Sequence, residues 1–208
     1  MTAHPSLPGE LVDGDTLRDR PASWPVVASE TAYESGYLSL HLDTVRTPDG
    51  DEVTRAVVRP HGAVGVLALD DDGRVLLVEQ YRHAVQGRLL ELPAGTLDVD
   101  GEASVDAARR ELNEEADLLA QHWESLVAPY ATPGYSSERW EVFVATGLTP
   151  VAEADRFERE AEEAEIRQLW VPLEQAVEAV LDGRIGDSMT VAGVLAAHAR
   201  GLGRTDRR

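Results

Sequence analysis

Three glutamates fall on one face of a short stretch, Arg110-Glu111-Leu112-Asn113-Glu114-Glu115-Ala116, directly after a glycine-containing loop. At about 100° per residue, Glu111, Glu114 and Glu115 lie at roughly 0°, −60° and +40°, an arc of about 100°. Like charges at i, i+3 or i, i+4 destabilise an isolated helix by a few tenths of a kcal/mol per pair, so a positive partner is expected. A divalent cation meets that need. Magnesium takes hard oxygen ligands, keeps several waters, and typically joins a few carboxylates to substrate phosphates. The plain alternative is a solvated helix face with i, i+4 pairs.

The elements around these residues must aim them. The spacing predicts a helix over 104–116 with Val105, Ala108, Leu112 and Ala116 as its buried stripe. Before it, two near-continuous apolar strands, 63–69 and 75–81, flank the turn Asp70-Asp71-Asp72-Gly73-Arg74, and their character predicts burial on both faces. Further strands are expected at 123–130, 140–146 and 166–171, and helices at 173–181 and 189–199. Helices before and after a mixed sheet make an α/β/α sandwich the natural arrangement. From Val26 to Arg59 the chain alternates in the strand manner around the turn Thr47-Pro48-Asp49-Gly50, which predicts a small N-terminal antiparallel β unit. The first residues mix Pro, Gly, Asp and Ser without periodicity, and a mobile arm is expected there. The expected division is therefore an arm over 1–25, the β unit over 26–60 and a main domain over 61–202.

Composition narrows the function. The 208 residues carry 38 acidic and 19 basic side chains, a formal charge of −19, which argues against a reader of nucleic-acid backbones. A site loaded with cations still admits an anionic substrate, because bound ions are the largest local charges. No cysteine is present, so neither a disulfide framework nor a thiolate metal site is available. No apolar run approaches the roughly 18 residues of a spanning helix, and no hydrophobic leader opens the chain. No membrane partner is expected, and a cytoplasmic protein is the default.

The stretch from Gly95 to Leu118 resembles the signature box of the Nudix hydrolases, G-x5-E-x7-R-E-U-x-E-E-x-G-U with U apolar. Gly95, Glu102, Arg110, Glu111, Leu112, Glu114, Glu115 and Leu118 fall in order. Two places depart: six residues rather than five separate Gly95 from Glu102, and Asp117 stands where a second glycine is expected. The extra residue falls in the loop 98–101, where insertions are tolerated, and Asp is among the few residues besides Gly that visit the left-handed cap conformation. The resemblance implies a Nudix-type α/β/α sandwich with a mixed sheet. It also implies Glu115 and Glu111 as the main metal ligands, Glu114 sharing a metal or steering a water, and the carbonyl of Ala94 within reach of the ion. Arg110 would orient the box carboxylates, with Glu102 in the same network. Mg2+ is the implied cofactor, with Mn2+ able to substitute.

Outside the box, the chain resembles the ADP-ribose pyrophosphatase branch. Pro133 stands fifteen positions beyond Leu118, in Ala131-Thr132-Pro133-Gly134-Tyr135-Ser136-Ser137-Glu138, and Gln80-Tyr81-Arg82-His83 and Glu91-Leu92-Pro93-Ala94-Gly95 match as well. By this resemblance Arg82 would hold the diphosphate as a planar fork, Glu138 would accept ribose hydroxyls, and Glu91 would lie near the adenine or a metal-held water. Glu138 reads otherwise as an ordinary acid at a strand start. Arg55 is a further candidate that a surface salt bridge explains nearly as well. The acidic run 158–165 is a solvated loop or the carrier of a catalytic base; if the latter, Glu163 is favoured over its neighbour Glu162. His83 and His122 read as structural, and Trp24, Trp123, Trp140 and Trp170 as core or interface anchors.

The resemblance thus implies hydrolysis of ADP-ribose to AMP and ribose 5-phosphate by a metal-activated water, in a homodimer built through the N-terminal β unit. Another nucleoside-diphosphate sugar, ADP-glucose or a GDP-sugar, is the alternative substrate. A non-catalytic ADP-ribose sensor is the alternative class.

Overall fold

Alternation along the strands sets the layers. The computed structural model describes residues 2–158 and 165–204. An exposed hairpin of β1 (Thr2–Ala3) and β2 (Glu10–Leu11) begins it, where no regular structure is expected from the sequence. A three-stranded antiparallel sheet follows, formed by β3 (Val26–Glu34), β4 (Leu38–Arg46) and β5 (Glu52–Pro60), with β4 in the centre. Asp43 is buried in this sheet and ties its strands together, accepting from Ser29 Oγ at 2.5 Å and from Arg59 Nη2 at 2.6 Å. The Ser29 hydrogen bond, joined by the Arg59 charge, outweighs burial and holds the Asp43 carboxyl below its ordinary range.

The body begins with β6 (Ala63–Ala68), β7 (Arg74–Arg82), β8 (Gly87–Glu91) and β9 (Ala94–Thr96). After α1 (Ser104–Ala116) come β10 (Leu118–Val127), β11 (Trp140–Pro150), β12 (Arg167–Pro172), α2 (Leu173–Leu181) and α3 (Ser188–Ala199). One sheet is mixed, in the order β10-β11-β6-β9 with β11 and β6 parallel; the other is antiparallel, β12-β7-β8. Val64, Val66 and Ala68 of β6 and Phe143 and Ala145 of β11 face Ala108, Leu112 and Ala116 of α1. The intervening Leu67, Val142 and Val144 face Leu173 and Val177 of α2 and Val194 and Ala197 of α3. Period-two strands with both faces apolar therefore give the expected α/β/α order, with a core on each side. No described helix is long and apolar enough to cross a membrane.

Local chemistry explains the joints. The helix α1 spans the predicted 104–116 and ends at Asp117, which takes the left-handed conformation (φ 53°, ψ 38°) and donates its N–H to Leu112 O and Asn113 O. The box's second departure thus performs the glycine's task. Because the chain turns in that one residue, β10 begins at Leu118 rather than at Trp123. The extra loop residue is absorbed in a turn in which Glu102 N–H reaches Val99 O and Gly101 has positive φ. The short strands β8 and β9 were not anticipated; Pro93 divides them, and its carbonyl accepts from Val66 N–H at 2.8 Å.

Of the four tryptophans, Trp140 and Trp123 pack against the two cores, whereas Trp24 and Trp170 are exposed.

Candidate active site

Helix α1 presents its carboxylates to the β9 strand. Glu111 and Glu115 belong to its buried side, at 9% and 5% exposure, where the sequence stripe predicts only apolar residues. Glu115 Oε2 accepts the Ala94 N–H at 2.9 Å. Arg110 gathers the rest: Nη1 donates to Glu111 Oε1 at 2.6 Å and to Glu114 Oε2 at 3.2 Å, and Nη2 reaches Glu102 Oε2 at 3.4 Å. Burial disfavours the Arg110 charge, but the Glu102 bond and the charges of Glu111 and Glu114 outweigh it and raise its pKa above the ordinary value. The box arginine and Glu102 therefore sit in one hydrogen-bonded network.

Gly95 makes the close packing possible. A Cβ built there would stand 2.5 Å from Glu111 Oε2 and nearer still to Oε1 and Cδ. Any larger residue displaces that carboxylate.

Two cavities meet here. One, of about 360 Å³, is walled by Gln80, Asp98, Arg110, Glu111, Glu114 and Glu115. The other, of about 520 Å³, is walled by Tyr37, Glu91, Glu138, Trp140, Asp187 and Met189, among others. Arg82, Ala94, Gly95 and Thr96 belong to both. The first is acidic and polar, and its carboxylates are hard oxygen donors of the type that suits Mg2+. Among the described residues the carboxylates line the wall without being drawn into a three-ligand cluster.

Arg82 stands at the junction, and its fork is turned onto Glu91. Nε donates to Oε1 and Oε2 at 2.9 and 3.2 Å, and Nη2 to Oε2 at 2.6 Å. Glu91, 5% exposed, is thereby engaged with Arg82, where a contact to adenine or to a metal-held water is expected. The Glu91 hydrogen bond is the main cause of the raised pKa of Arg82, against burial, with the charges of Glu91, Glu115 and Asp187 adding. Arg82 remains partly exposed to the cavities, with 44% of its side chain accessible.

The other expected residues divide. Glu138 lines the larger cavity. Pro133 and Gly134 are exposed and line neither cavity; their loop docks on β5 instead, through Val58 N–H to Tyr135 O at 2.8 Å and Ser137 N–H to Val58 O at 3.0 Å. Arg55 does not reach the site. It lies on β5 opposite Asp43, its Nη1 at Thr54 O, and the ion pair to Asp43 is made by Arg59. Glu162 and Glu163 lie outside the described residues; the next acid, Glu165, pairs with Arg88 of β8. His83 is exposed, with Nδ1 3.2 Å from Tyr81 OH.

Sequence reasoning missed Tyr37, Asp98, Thr96 and Asp187 as cavity residues. For Asp187 a signal existed: Asp-Ser-Met-Thr reads as a helix N-cap, and Asp187 does accept from Thr190 N–H.

Comparison with known proteins agrees with this architecture. A NUDIX domain family model matches residues 59–190. The chain is 46% identical over 173 residues to a Mycobacterium tuberculosis protein named ADP-ribose pyrophosphatase, covering 83% of this chain and 82% of the relative. It is 32% identical over 165 residues to a Bacillus subtilis protein of the same name, covering 79% and 86%. A Bacillus methanolicus methanol dehydrogenase activator is 31% identical over 81% of this chain and 89% of its own length. Among solved structures, an ADP compounds hydrolase superposes with a TM-score of 0.73 at 21% identity, covering 88% of this chain and 96% of that one. That likeness bears on the fold.

Proposed function

The chain belongs to the NUDIX domain family, and on that premise we propose that it hydrolyses the diphosphate of ADP-ribose. Water adds to one phosphorus, the bond from that phosphorus to the bridging oxygen breaks, and AMP and ribose 5-phosphate leave. The observation that carries this reading is the position of Arg82, shared by an acidic cavity and by a larger one with ribose- and base-sized room. A diphosphate lying across that junction would have its sugar and nucleoside ends on one side and the carboxylates on the other. The name carried by the 46% identical relative supports the choice of ADP-ribose.

Glu111 and Glu115, with Glu114 sharing and the Ala94 carbonyl beside them, would hold a divalent cation, Mg2+ with Mn2+ able to substitute. When bound, such an ion neutralises charge on phosphoryl oxygens and lowers the pKa of water. The chain's own residues do the rest. Arg110 fixes Glu111 and Glu114 in register. Glu91 holds the Arg82 guanidinium, so that its position is set before the diphosphate arrives. Glu138 accepts from the terminal ribose, and Glu163 or Glu162 takes the proton of the attacking water. The β unit over 26–60 serves as the contact of a homodimer; the long exposed strand β3, with Val26, Val27 and Tyr33 uncovered, supports that assignment.

The test is a substrate panel. Purified protein with Mg2+ is offered ADP-ribose, ADP-glucose, GDP-mannose and nucleoside triphosphates. ADP-ribose is expected to give the highest kcat/KM; a clearly higher value for another sugar nucleotide refutes the substrate assignment.

A further inference from the structure

The segment from Glu91 at the end of β8 to Gly95 in β9 gives four residues to the cavity walls, Glu91, Leu92, Ala94 and Gly95, and besides the pairing of β9 with β6 it is held at four points. Arg82 holds the Glu91 carboxylate. Val66 N–H holds the Pro93 carbonyl at 2.8 Å. Glu115 holds the Ala94 N–H at 2.9 Å. The fourth hold comes from a different layer. Thr190 of α3, fully buried, accepts the Leu92 N–H at 2.9 Å through Oγ1 and passes its own hydroxyl proton to Asp187 Oδ2 at 2.7 Å. Asp187 Oδ2 also accepts Thr190 N–H at 2.8 Å, so Asp187 fixes the direction in which the hydroxyl points. A threonine hydroxyl has one proton; given to Asp187, it leaves the oxygen as an acceptor for Leu92.

The packing around this pair is built for close approach. A Cβ on Gly193 of α3 would come within 2.8 Å of Leu92 Cδ1, and one on Gly65 of β6 would collide with Met189 Sδ. Helix α3 is thus pressed onto the loop and onto β6 at the point where Thr190 reaches Leu92. Asp187 itself lines the larger cavity and adds to the charges felt by Arg82. One carboxylate therefore belongs both to the substrate cavity and to the hydrogen-bonded chain that ends on the loop beneath the acidic cavity.

We infer that Thr190, oriented by Asp187, is a positioning residue: its hydroxyl sets the backbone of Leu92 to Gly95 so that Ala94 and Gly95 meet Glu115 and Glu111 in the working geometry. The catalytic part of this inference rests on the proposed hydrolysis, while the structural link does not. No contact between Thr190 and substrate is required. A hydroxyl serving only to fill space would be replaceable by a methyl; this one makes two hydrogen bonds that a methyl cannot make.

The experiment compares Thr190→Val, which keeps the volume and removes the hydroxyl, with Thr190→Ser, which keeps the hydroxyl. Amide hydrogen exchange is followed residue by residue in the full chain, without substrate or added cation. In Thr190→Val, exchange at Leu92 and at Ala94 is expected to accelerate by at least about tenfold, the size of one lost buried hydrogen bond, while Val144 in β11 stays slow. Thr190→Ser is expected to keep both slow. Should Thr190→Val fail to fold, Thr190→Cys keeps the volume with a much weaker acceptor, and the same pattern is expected. In the assay, Thr190→Val is expected to lower kcat on ADP-ribose by about tenfold or more with KM near wild type, and Thr190→Ser to restore it. Unchanged exchange at Ala94, or a Thr190→Ser variant as damaged as Thr190→Val, overturns the inference. A wild-type chain inactive on ADP-ribose refutes the proposed function instead and leaves the exchange result standing.

Discussion

Replacing Gly95 by alanine isolates the geometry of the acidic site from its chemistry, since no donor or acceptor is removed. The added Cβ would lie 2.5 Å from Glu111 Oε2 and closer to the other two carboxyl atoms. Ordinary contact needs about 3.5 Å, so the carboxylate must retreat by at least about 1 Å. Gly95 has no positive φ, and the obstructing atoms are the end of a flexible side chain, so the fold tolerates the change at an overpacking cost of about 1–3 kcal/mol. The retreat breaks the 2.6 Å bond to Arg110. A misplacement of about 1 Å at a reacting site costs on the order of 100-fold. Gly95→Ala is therefore expected to unfold cooperatively, with a Tm lowered by about 2–12 °C, and to lose about 100-fold in kcat/KM on ADP-ribose, measured by AMP release. A variant with wild-type turnover would refute the placement of Glu111 in the working site. A variant that does not fold would refute the reasoning that the side chain, rather than the backbone, gives way.

Two further outcomes are expected, the first from the sequence and the second from the structure. For the base, Glu162→Gln and Glu163→Gln are made separately; one of them is expected to flatten the acidic limb of the pH–rate profile, and two fully active variants would remove the base from this segment. For the N-terminal sheet, the Asp43 carboxyl is held below its ordinary value of 3.8 by Ser29 and Arg59, so it favours the folded state above that pH and ceases to do so as pH falls through the lowered value. Asp43→Asn should accordingly be less stable than wild type at neutral pH, with the gap in Tm closing below about pH 4; a gap independent of pH contradicts this.

The sequence made α1 and its ends legible because several local signals agreed there. The apolar stripe, the glutamate spacing and the aspartate cap all pointed to 104–116, and Asp117 adopts the left-handed conformation its side chain permits. Glu111 and Glu115 were readable as a pair but not as buried residues; their burial depends on Gly95 admitting the carboxylate and on β9 lying across the helix, which is a tertiary matter. The short strands β8 and β9 carry too few residues for a period to show, and Pro93 interrupts them. Arg82 reads from the sequence as a fork for the diphosphate, and its partner in the structure, Glu91, is not legible there, because nothing in the spacing of residues 82 and 91 tells that β7 and β8 pair with Arg82 opposite Gly87. Thr190 was invisible for the same reason. Its partner Leu92 lies 98 residues away in the chain, and only the packing of α3 on the loop brings them together.

The central claim is that hydrolysis of ADP-ribose depends on a divalent cation held by the α1 glutamates. It is tested most directly by titrating Mg2+ into chelator-treated protein and following AMP release from ADP-ribose, for wild type and for Glu115→Gln. Wild-type turnover is expected to be absent without cation and to rise to saturation with it, while Glu115→Gln folds normally and stays at least about 100-fold slower at every concentration. Turnover that persists in chelator, or a Glu115→Gln variant that saturates at the wild-type rate, would contradict the account.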